Sequence, residues 1–327
     1  MSTNYLIAAT ISSASSGRLP ITRIKKQSII LLFLLSAMAC SQAVNAQVYL
    51  KSALIGSSKY NDANSGSTSS KGSAYVIRGG FQLPLSMKAD TVIRGSDTIP
   101  PQTVWAVRLD GSYTRFNNQN TEQYNFLGDV YNYRVGVVYL HTLTKKWSLF
   151  STVGAGLYTT SSGINSRQII GEGAVIFVRT MTPNLKIGAG VALDNTFGFP
   201  MVYPAFFVDW AIDGRGGKYF ARLNSNEVKA GIKYSEKFQL CVNFDAFGAS
   251  ALYKDKMFTH TFFAAGLTPE FKVGKHLNIP FTVGVSGTRT MYSHERKIRD
   301  FFSYLNKDNL PKFSPSLYVS AGIQYVF

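Results

Sequence analysis

From Gln47 to the last residue, apolar and polar side chains trade places at every second position. In "TVWAVRLDGSYT", Trp105, Val107, Leu109 and Tyr113 share one parity, opposite Arg108, Asp110, Ser112 and Thr114. "VYNYRVGVVYL" sets Tyr131, Tyr133, Val135, Val137 and Tyr139 against Asn132, Arg134 and Gly136, and "LKIGAGVALD", "EVKAGIKY" and "KFQLCVNFDAF" repeat the scheme. The chain closes on the same motif: Leu317, Val319, Ala321, Ile323, Tyr325 and Phe327 lie opposite Tyr318, Ser320, Gly322, Gln324 and Val326. No stretch after residue 46 sustains the 3.6-residue apolar period of a helix, so period two predicts strands throughout. Many runs are long compared with the roughly 5–6 residues of globular strands, and fit the ~9–11 residues a tilted strand needs to cross a bilayer. Tracing them up and down gives about fourteen strands, or twelve if the short runs near 217–223 and 226–235 do not form a hairpin.

Alternation alone also suits a secreted β-sandwich. Three features favour a membrane barrel. The polar parity is rich in Gly, Ser, Thr and Asn rather than in charge. Connections alternate between tight turns ("TKK", "TPN", "SEK", "GKH") and long polar segments ("KYNDANSGSTSSKGS", "NNQNTEQYNFLG", "SHERKIRDFFSYLNKDNLPKF"), the asymmetry of outer-membrane barrels. Residues 87–101 break it, being long where a short turn is expected. Trp147 and Trp210 stand at strand ends, where aromatic girdles meet head groups. Composition agrees: aromatics make up 13% and charged residues only 16%, against about 25% in ordinary soluble domains. The expected fold is all-β, a closed antiparallel transmembrane barrel of 12–14 strands.

The start of the chain reads differently. Arg23, Lys25 and Lys26 precede the apolar block Ile29–Leu35, and small residues follow, with Val44 and Ala46 framing a cleavage site. This is the order of a secretory signal peptide, too short in its apolar part to span. An alternative, acylation at Cys40, needs a lipid-attachment box that Ala37 and Met38 fit poorly. The expected division is therefore signal peptide 1–46 and barrel 47–327. Removal of the first part leaves 281 residues with a formal charge of +12, and Cys241 as the lone cysteine, without a disulfide framework. At the other end, Ile323, Tyr325 and Phe327 resemble the terminal signal that the barrel-assembly machinery reads on outer-membrane barrels.

A longer resemblance covers residues 184–244, from "NLKIGAGVALDNTFGFPMVYPAFFVDW" to "YSEKFQLCVNF": a Gly-rich strand, Pro200 at a tip, then Pro204, Asp209 and Trp210. Together with "WSLFSTVGAGLY" it resembles a widespread family of bacterial outer-membrane β-barrels of unknown function. The resemblance implies a barrel and a place in the outer membrane, and no activity.

Candidate chemistry lies on the inward parity. Arg78, Arg108 and Arg134 fall on consecutive strands, with Asp110, Glu172 and Asp209 facing the same interior, joined by Glu227, Lys229, Asp245, Glu270 and Lys272. Two readings follow. A basic ladder selects anions; a mixed set of charges pairs and plugs the lumen. Mixed signs favour the second. The four histidines (His141, His260, His276, His294) lack metal-ligand spacing, and no metal or cofactor is expected. His294 with Glu295 reads as solvated loop. His260 beside Thr259 and Thr261, or His141 on a lipid-side parity, are the positions resembling lipid-hydrolase chemistry, without a G-x-S-x-G elbow. Cys241 reads as an inert lumen residue, and "VGAGLY" and "KIGAGV" as glycines relieving crowding, not phosphate loops. Residues 291–313 are left open between lumen constriction and surface loop. The charge suggests attraction to lipopolysaccharide phosphates; nucleic acid is not expected, as no stacking platform or basic helix accompanies it. The leading expectation is a porin-like passive channel or transporter for small solutes or lipid-related ligands, and not an enzyme. A structural barrel with partner-binding loops is the alternative, and an outer-membrane lipid hydrolase the distant one.

Overall fold

Alternating residues in extended backbone place their side chains on opposite faces, and burial follows that alternation strand by strand. The computed structural model describes residues 47–61, 69–89, 102–120, 127–160, 163–194, 201–224, 228–253, 255–295 and 312–327. The signal segment with Val44, Ala46 and Cys40, together with Pro200, Glu227 and the heart of the 291–313 segment, lies outside the described residues.

Fourteen long or medium strands and one two-residue piece form a single sheet: β1 (Gln47–Asn61), β2 (Lys71–Ala89), β3 (Gln102–Gln119), β4 (Asp129–Thr142), β5 (Trp147–Thr159), β6 (Ile169–Thr182), β7 (Leu185–Asp194), β8 (Met201–Gly214), β9 (Gly217–Leu223), β10 (Val228–Lys233), β11 (Phe238–Tyr253), β12 (Lys256–Val273), β13 (Leu277–Glu295), β14 (Lys312–Phe313) and β15 (Ser316–Val326). Each pairs antiparallel with its neighbours, and β15 returns to β1 in a register running from Gln47↔Val326 to Ile55↔Tyr318. β14 continues β15 past a break at residues 314–315, pairing with Tyr60 and Asn61. The sheet is thus a closed barrel of fourteen strands, and the short runs β9 and β10 do form a hairpin. Gln47 and Val326, the first residue of β1 and the last of β15, lie at one end, called here the terminal end; the other is the distal end. Residues 87–89, expected in a connection, extend β2, and 90–101 lie outside the described residues.

The outward parity is apolar and exposed, as in Leu50, Leu54, Val135, Val153, Val191, Leu267 and Ile323. Aromatic residues gather at both ends of this band. Trp105 meets Tyr139 with ring centroids 4.5 Å apart at the terminal end, and Tyr113 meets Tyr131 at 5.1 Å eight residues further along the same strands. Eight residues at about 3.4 Å, tilted by roughly 40°, span about 20 Å, close to the ~25 Å band of membrane barrels. Trp147 at the terminal rim carries the Arg179 guanidinium 5.5 Å from its ring centroid. Glycine keeps the strands close where they twist. A Cβ at Gly190 would fall 1.8 Å from the Val175 carbonyl oxygen, which accounts for "KIGAGV" without any ligand.

One sector of the wall is incomplete. β8 pairs with β9 only from Val208 to Gly214, and β10 pairs with β11 only up to Phe244. Met201–Phe207 on the β9 side and Asp245–Tyr253 on the β10 side therefore have no ladder partner among the described residues. Pro204, which has no amide hydrogen to leave unpaired, sits in this stretch, the kind of edge where strand prolines are found.

The apolar band gives a direct test. Val153→Arg, on the lipid-facing parity of β5, should lower unfolding free energy in lipid vesicles by about 2–4 kcal/mol, against about 0–1 kcal/mol for an Arg at the Trp147 rim. Denaturant titration with a tryptophan-fluorescence readout measures both.

Candidate functional site

The interior is built in three layers. Nearest the terminal end is a chamber of about 470 Å³. Inward residues of β8 to β13 line it, with Gln47 and Gln324 from the closing strands. Its lining carries six cations (Lys218, Arg222, Lys229, Lys233, Lys272, Lys275) and one carboxylate, Glu270. Three cations have partners. Lys229 Nζ lies 3.2 Å from Glu270, Arg222 lies 3.5 Å from Asp209, and Lys233 lies 2.6 Å from Glu236 in the β10–β11 turn. Glu270 also accepts from Gln239 and from Asn278 at 3.1 Å, so it is fully committed. Lys218, Lys272 and Lys275 form no ion pair among the described residues, and the chamber keeps a surplus of positive charge. Cys241 lies buried beside Glu270, its Sγ 3.5 Å from the Thr268 carbonyl oxygen.

The second layer is a belt of matched charges. Asp245 on β11 accepts from Lys51 on β1, Arg78 on β2 and the Tyr318 hydroxyl on β15. Asp110 pairs with Arg108 and accepts from Tyr49 at 2.7 Å. Glu172 accepts from Tyr158 at 3.4 Å and Asp194 from Tyr203 at 3.2 Å, while Arg134 faces the fields of Glu172 and Asp110. Of the six lumen charges singled out in the sequence, Arg78, Arg108, Asp110, Arg134 and Glu172 stand in this belt. Asp209 stands apart, with Arg222 beside the chamber.

The third layer fills the distal lumen. Among fourteen strands in a ring, β4 and β11 are diametrically opposite, yet they touch. The cause is a fold in the hairpin of β11 and β12. Beyond Asp245 the hairpin leans inward, at a register shift between Phe262 and Ala264 where a bulge bends the ladder. It crosses the lumen, so both of its parities are buried over Ala249–Leu252 and Met257–Thr261. One face packs into an apolar core of Ile55, Val76, Phe116, Val130, Phe262 and Phe313. The other sets Met257 against Tyr158 and Ile170. The unpaired edge of β11 is capped by side-chain amides that imitate a neighbouring strand. Asn132 Nδ2 donates to the Ser250 carbonyl and its Oδ1 accepts from the Ser250 amide at 3.3 Å; Gln168 Nε2 donates to the Leu252 carbonyl at 3.2 Å. Arg167 pairs with Asp255 at the tip, 2.8 Å apart.

Histidine placement differs from expectation at one position. His294 belongs to β13 and is buried rather than solvated, its Nδ1 2.8 Å from the Glu295 carbonyl oxygen. The reason is that β13 runs on to Glu295, five residues into the segment expected as loop. His260 is fully buried in the hairpin, its ring 4.7 Å from Phe116, and neither ring nitrogen has a hydrogen-bond partner among the described residues. His141 faces outward and shares a 2.8 Å hydrogen bond with Thr103. Among the described residues no three His, Cys, Asp or Glu side chains converge as metal ligands.

Residues 42–326 match the model of a family described as a domain of unknown function, DUF6268, and the chain belongs to that family. A comparison with curated proteins finds no match. Among solved structures, the chain is similar to an outer membrane channel from Pseudomonas putida F1 (9% identity, 88% of this chain and 97% of that one, TM-score 0.44). It is similar also to the Pseudomonas putida toluene transporter TodX (8% identity, 87% and 90%, TM-score 0.38) and to the outer membrane protease OmpT from Escherichia coli (11%, 86% and 96%, TM-score 0.25). Likenesses at this level extend to the barrel fold and no further.

Asp245 is the hinge of the belt, and its removal has a calculable consequence. Asp245→Ala should destabilise the barrel by about 3 kcal/mol, the low end for one broken partner of a buried pair, because Lys51 and Arg78 keep 20% exposure. A charge-free triple variant, Lys51→Met/Arg78→Met/Asp245→Leu, should recover most of that loss in the same unfolding titration.

Proposed function

We propose that this protein is an outer-membrane barrel that moves small anionic or lipid-related solutes through a lumen held shut by its own β11–β12 hairpin. The observation that carries the reading is the cation-rich chamber lying in the same lumen as that hairpin. A barrel serving only as a scaffold gains nothing from unpaired lysines facing its interior, whereas a translocation path gains local anion concentration. The matched belt supports the plug reading of Arg78, Arg108, Asp110, Arg134 and Glu172, and the anion preference falls instead to the chamber. The terminal end faces the periplasm in this reading, the outward lipid-facing band contacts outer-membrane lipid and lipopolysaccharide, and Ile323 and Tyr325 on the outward parity of β15, with Phe327 just past its end, serve the assembly machinery. A hydrolase has less support: His260 has no hydrogen-bonded hydroxyl or carboxylate partner among the described residues.

Planar-bilayer recording tests the plug. The wild-type chain should give rare, brief openings. Asn132→Ala/Gln168→Ala removes the amides that hold the edge of β11 and should lengthen openings at least tenfold, with chloride favoured over potassium. Arg108→Glu, within the matched belt, should leave that ion preference in place. A barrel that inserts and stays silent in both wild-type and double-variant forms would leave the scaffold reading standing.

A further inference from the structure

The chamber at the terminal end breaks the charge matching that the belt obeys. On the inward face of the β9–β10 hairpin, Lys218 stands directly opposite Lys233, and Arg222 directly opposite Lys229. Directly opposed residues of an antiparallel pair hold their Cβ atoms about 4.5–5.5 Å apart, and like charges so placed destabilise it. One short hairpin does this twice, with only the Phe220↔Gly231 pair between on that face. Neighbouring strands relieve part of the repulsion: Arg222 has Asp209, Lys229 has Glu270 and Lys233 has Glu236. Asp213 lies across from Lys218 in the β8–β9 register, at the exposed rim. Lys272, near the end of β12, and Lys275, in the turn that follows, complete the cations of the lining. Six cations thus meet four carboxylates even when Asp213 is counted, and two positive charges remain over. The lysines also converge. Glu236, in the turn outside the spanning strands, has its carboxyl held below the ordinary range by its hydrogen bond and attraction to Lys233, then by the fields of Lys272 and Lys218. Lysines of β9, β10 and β12 therefore act on one point at the mouth of the chamber. Local rules broken in an otherwise consistent fold mark functional sites.

We propose that the chamber is a binding site for a compact polyanion, a small molecule with at least two carboxylate or phosphate groups, seated between the opposed cations of β9–β10 and Lys272 and Lys275. The assignment rests on the transport reading and names its solute class. Valence follows from the surplus: a monovalent anion offsets one of two excess charges, and a dianion or trianion offsets both. Size follows from the enclosure. About 470 Å³ lies within the ordinary range for small-ligand sites, roughly 300–1,000 Å³, and is too small for a nucleic-acid strand or an acidic domain. Position follows from the lining: Lys275, His276, Gln47 and Val326 belong to a turn and strand ends at the terminal end, so the mouth opens there. The chemistry of the cations sets the breadth of the class. Lysine is a flexible point charge with three rotatable donors, and lacks the planar fork by which arginine selects one anion geometry.

Isothermal titration calorimetry on the full-length mature chain in non-ionic detergent tests the site, with citrate, pyrophosphate, acetate and chloride compared at one ionic strength. Citrate or pyrophosphate should bind saturably, one per barrel, at least tenfold more tightly than acetate or chloride. Whichever of the two binds more tightly identifies the anionic group. Lys218→Gln/Lys272→Gln changes two cations that form no ion pair among the described residues. It should weaken that ligand at least tenfold and keep the heat-modifiable gel mobility of a folded barrel. Lys145→Gln/Lys146→Gln removes as much charge from the exposed β4–β5 turn, at the same end but outside the chamber, and should leave affinity unchanged. No saturable binding, equal affinity for acetate and citrate, or equal losses in the two double variants would overturn the assignment. Polyanion binding in a chain that never conducts would remove the transport reading and leave this site in place; a conducting barrel that binds neither polyanion would do the reverse.

Discussion

A backbone amide or carbonyl without a partner in hydrocarbon costs several kcal/mol, and nearly every feature of this protein answers to that constraint. Closure of β15 onto β1 removes the two edges that an open sheet would expose. The polar groups of the interior are then free to be arranged by charge alone, because the wall no longer needs them. Where the ladder fails, between β8 and β11, the structure supplies substitutes of different kinds. Pro204 has no donor to satisfy, and Asn132 and Gln168 bond the backbone of Ser250 and Leu252 where the hairpin, having crossed the lumen, meets the opposite wall. The inward lean of the hairpin moves an unpaired edge out of the wall and into a place where amides can reach it.

The wall was legible in the sequence because its rule is local. Tyr133 and Arg134 occupy opposite faces whatever the rest of the chain does, and period two places each one correctly. The same rule misleads when a strand leaves the wall. On the outward parity of β11, Phe238, Leu240, Val242 and Phe244 give way to Ala246, Gly248 and Ser250, and β12 brings Thr259 and Thr261 to the same face. Small and hydroxylated residues in place of bulky apolar ones were the available signal that this hairpin meets protein rather than lipid. Asn132 and Gln168 carried no such signal. Their role depends on a partner 118 and 84 residues away, respectively, and on the inward bend that brings it close. The chamber was half legible: Lys229, Glu270 and Lys272 fall on the inward parity, but Lys218, Lys233 and Lys275 become a cluster only when the hairpin β9–β10 and the turn at Gly274 set them around one space.

Charge is distributed unequally along the lumen, and the inequality is informative. In the belt each carboxylate is matched: Asp245 by two cations and a tyrosine, Asp110 by Arg108 and Tyr49. Such sets hold strands together and offer a passing ion little, since their fields cancel within a few ångströms. A surplus of lysine at the terminal end behaves otherwise. Lysines there line an open chamber with few carboxylates among them, and their field extends into the space they line. The belt therefore serves as the frame on which Asp245, at the root of the inward-leaning segment, anchors β11 to β1, β2 and β15. Distal to that anchor, β11 stays laddered to β12 out to Tyr253↔Lys256, and on its other edge two amide side chains and an apolar face take the place of a neighbouring strand.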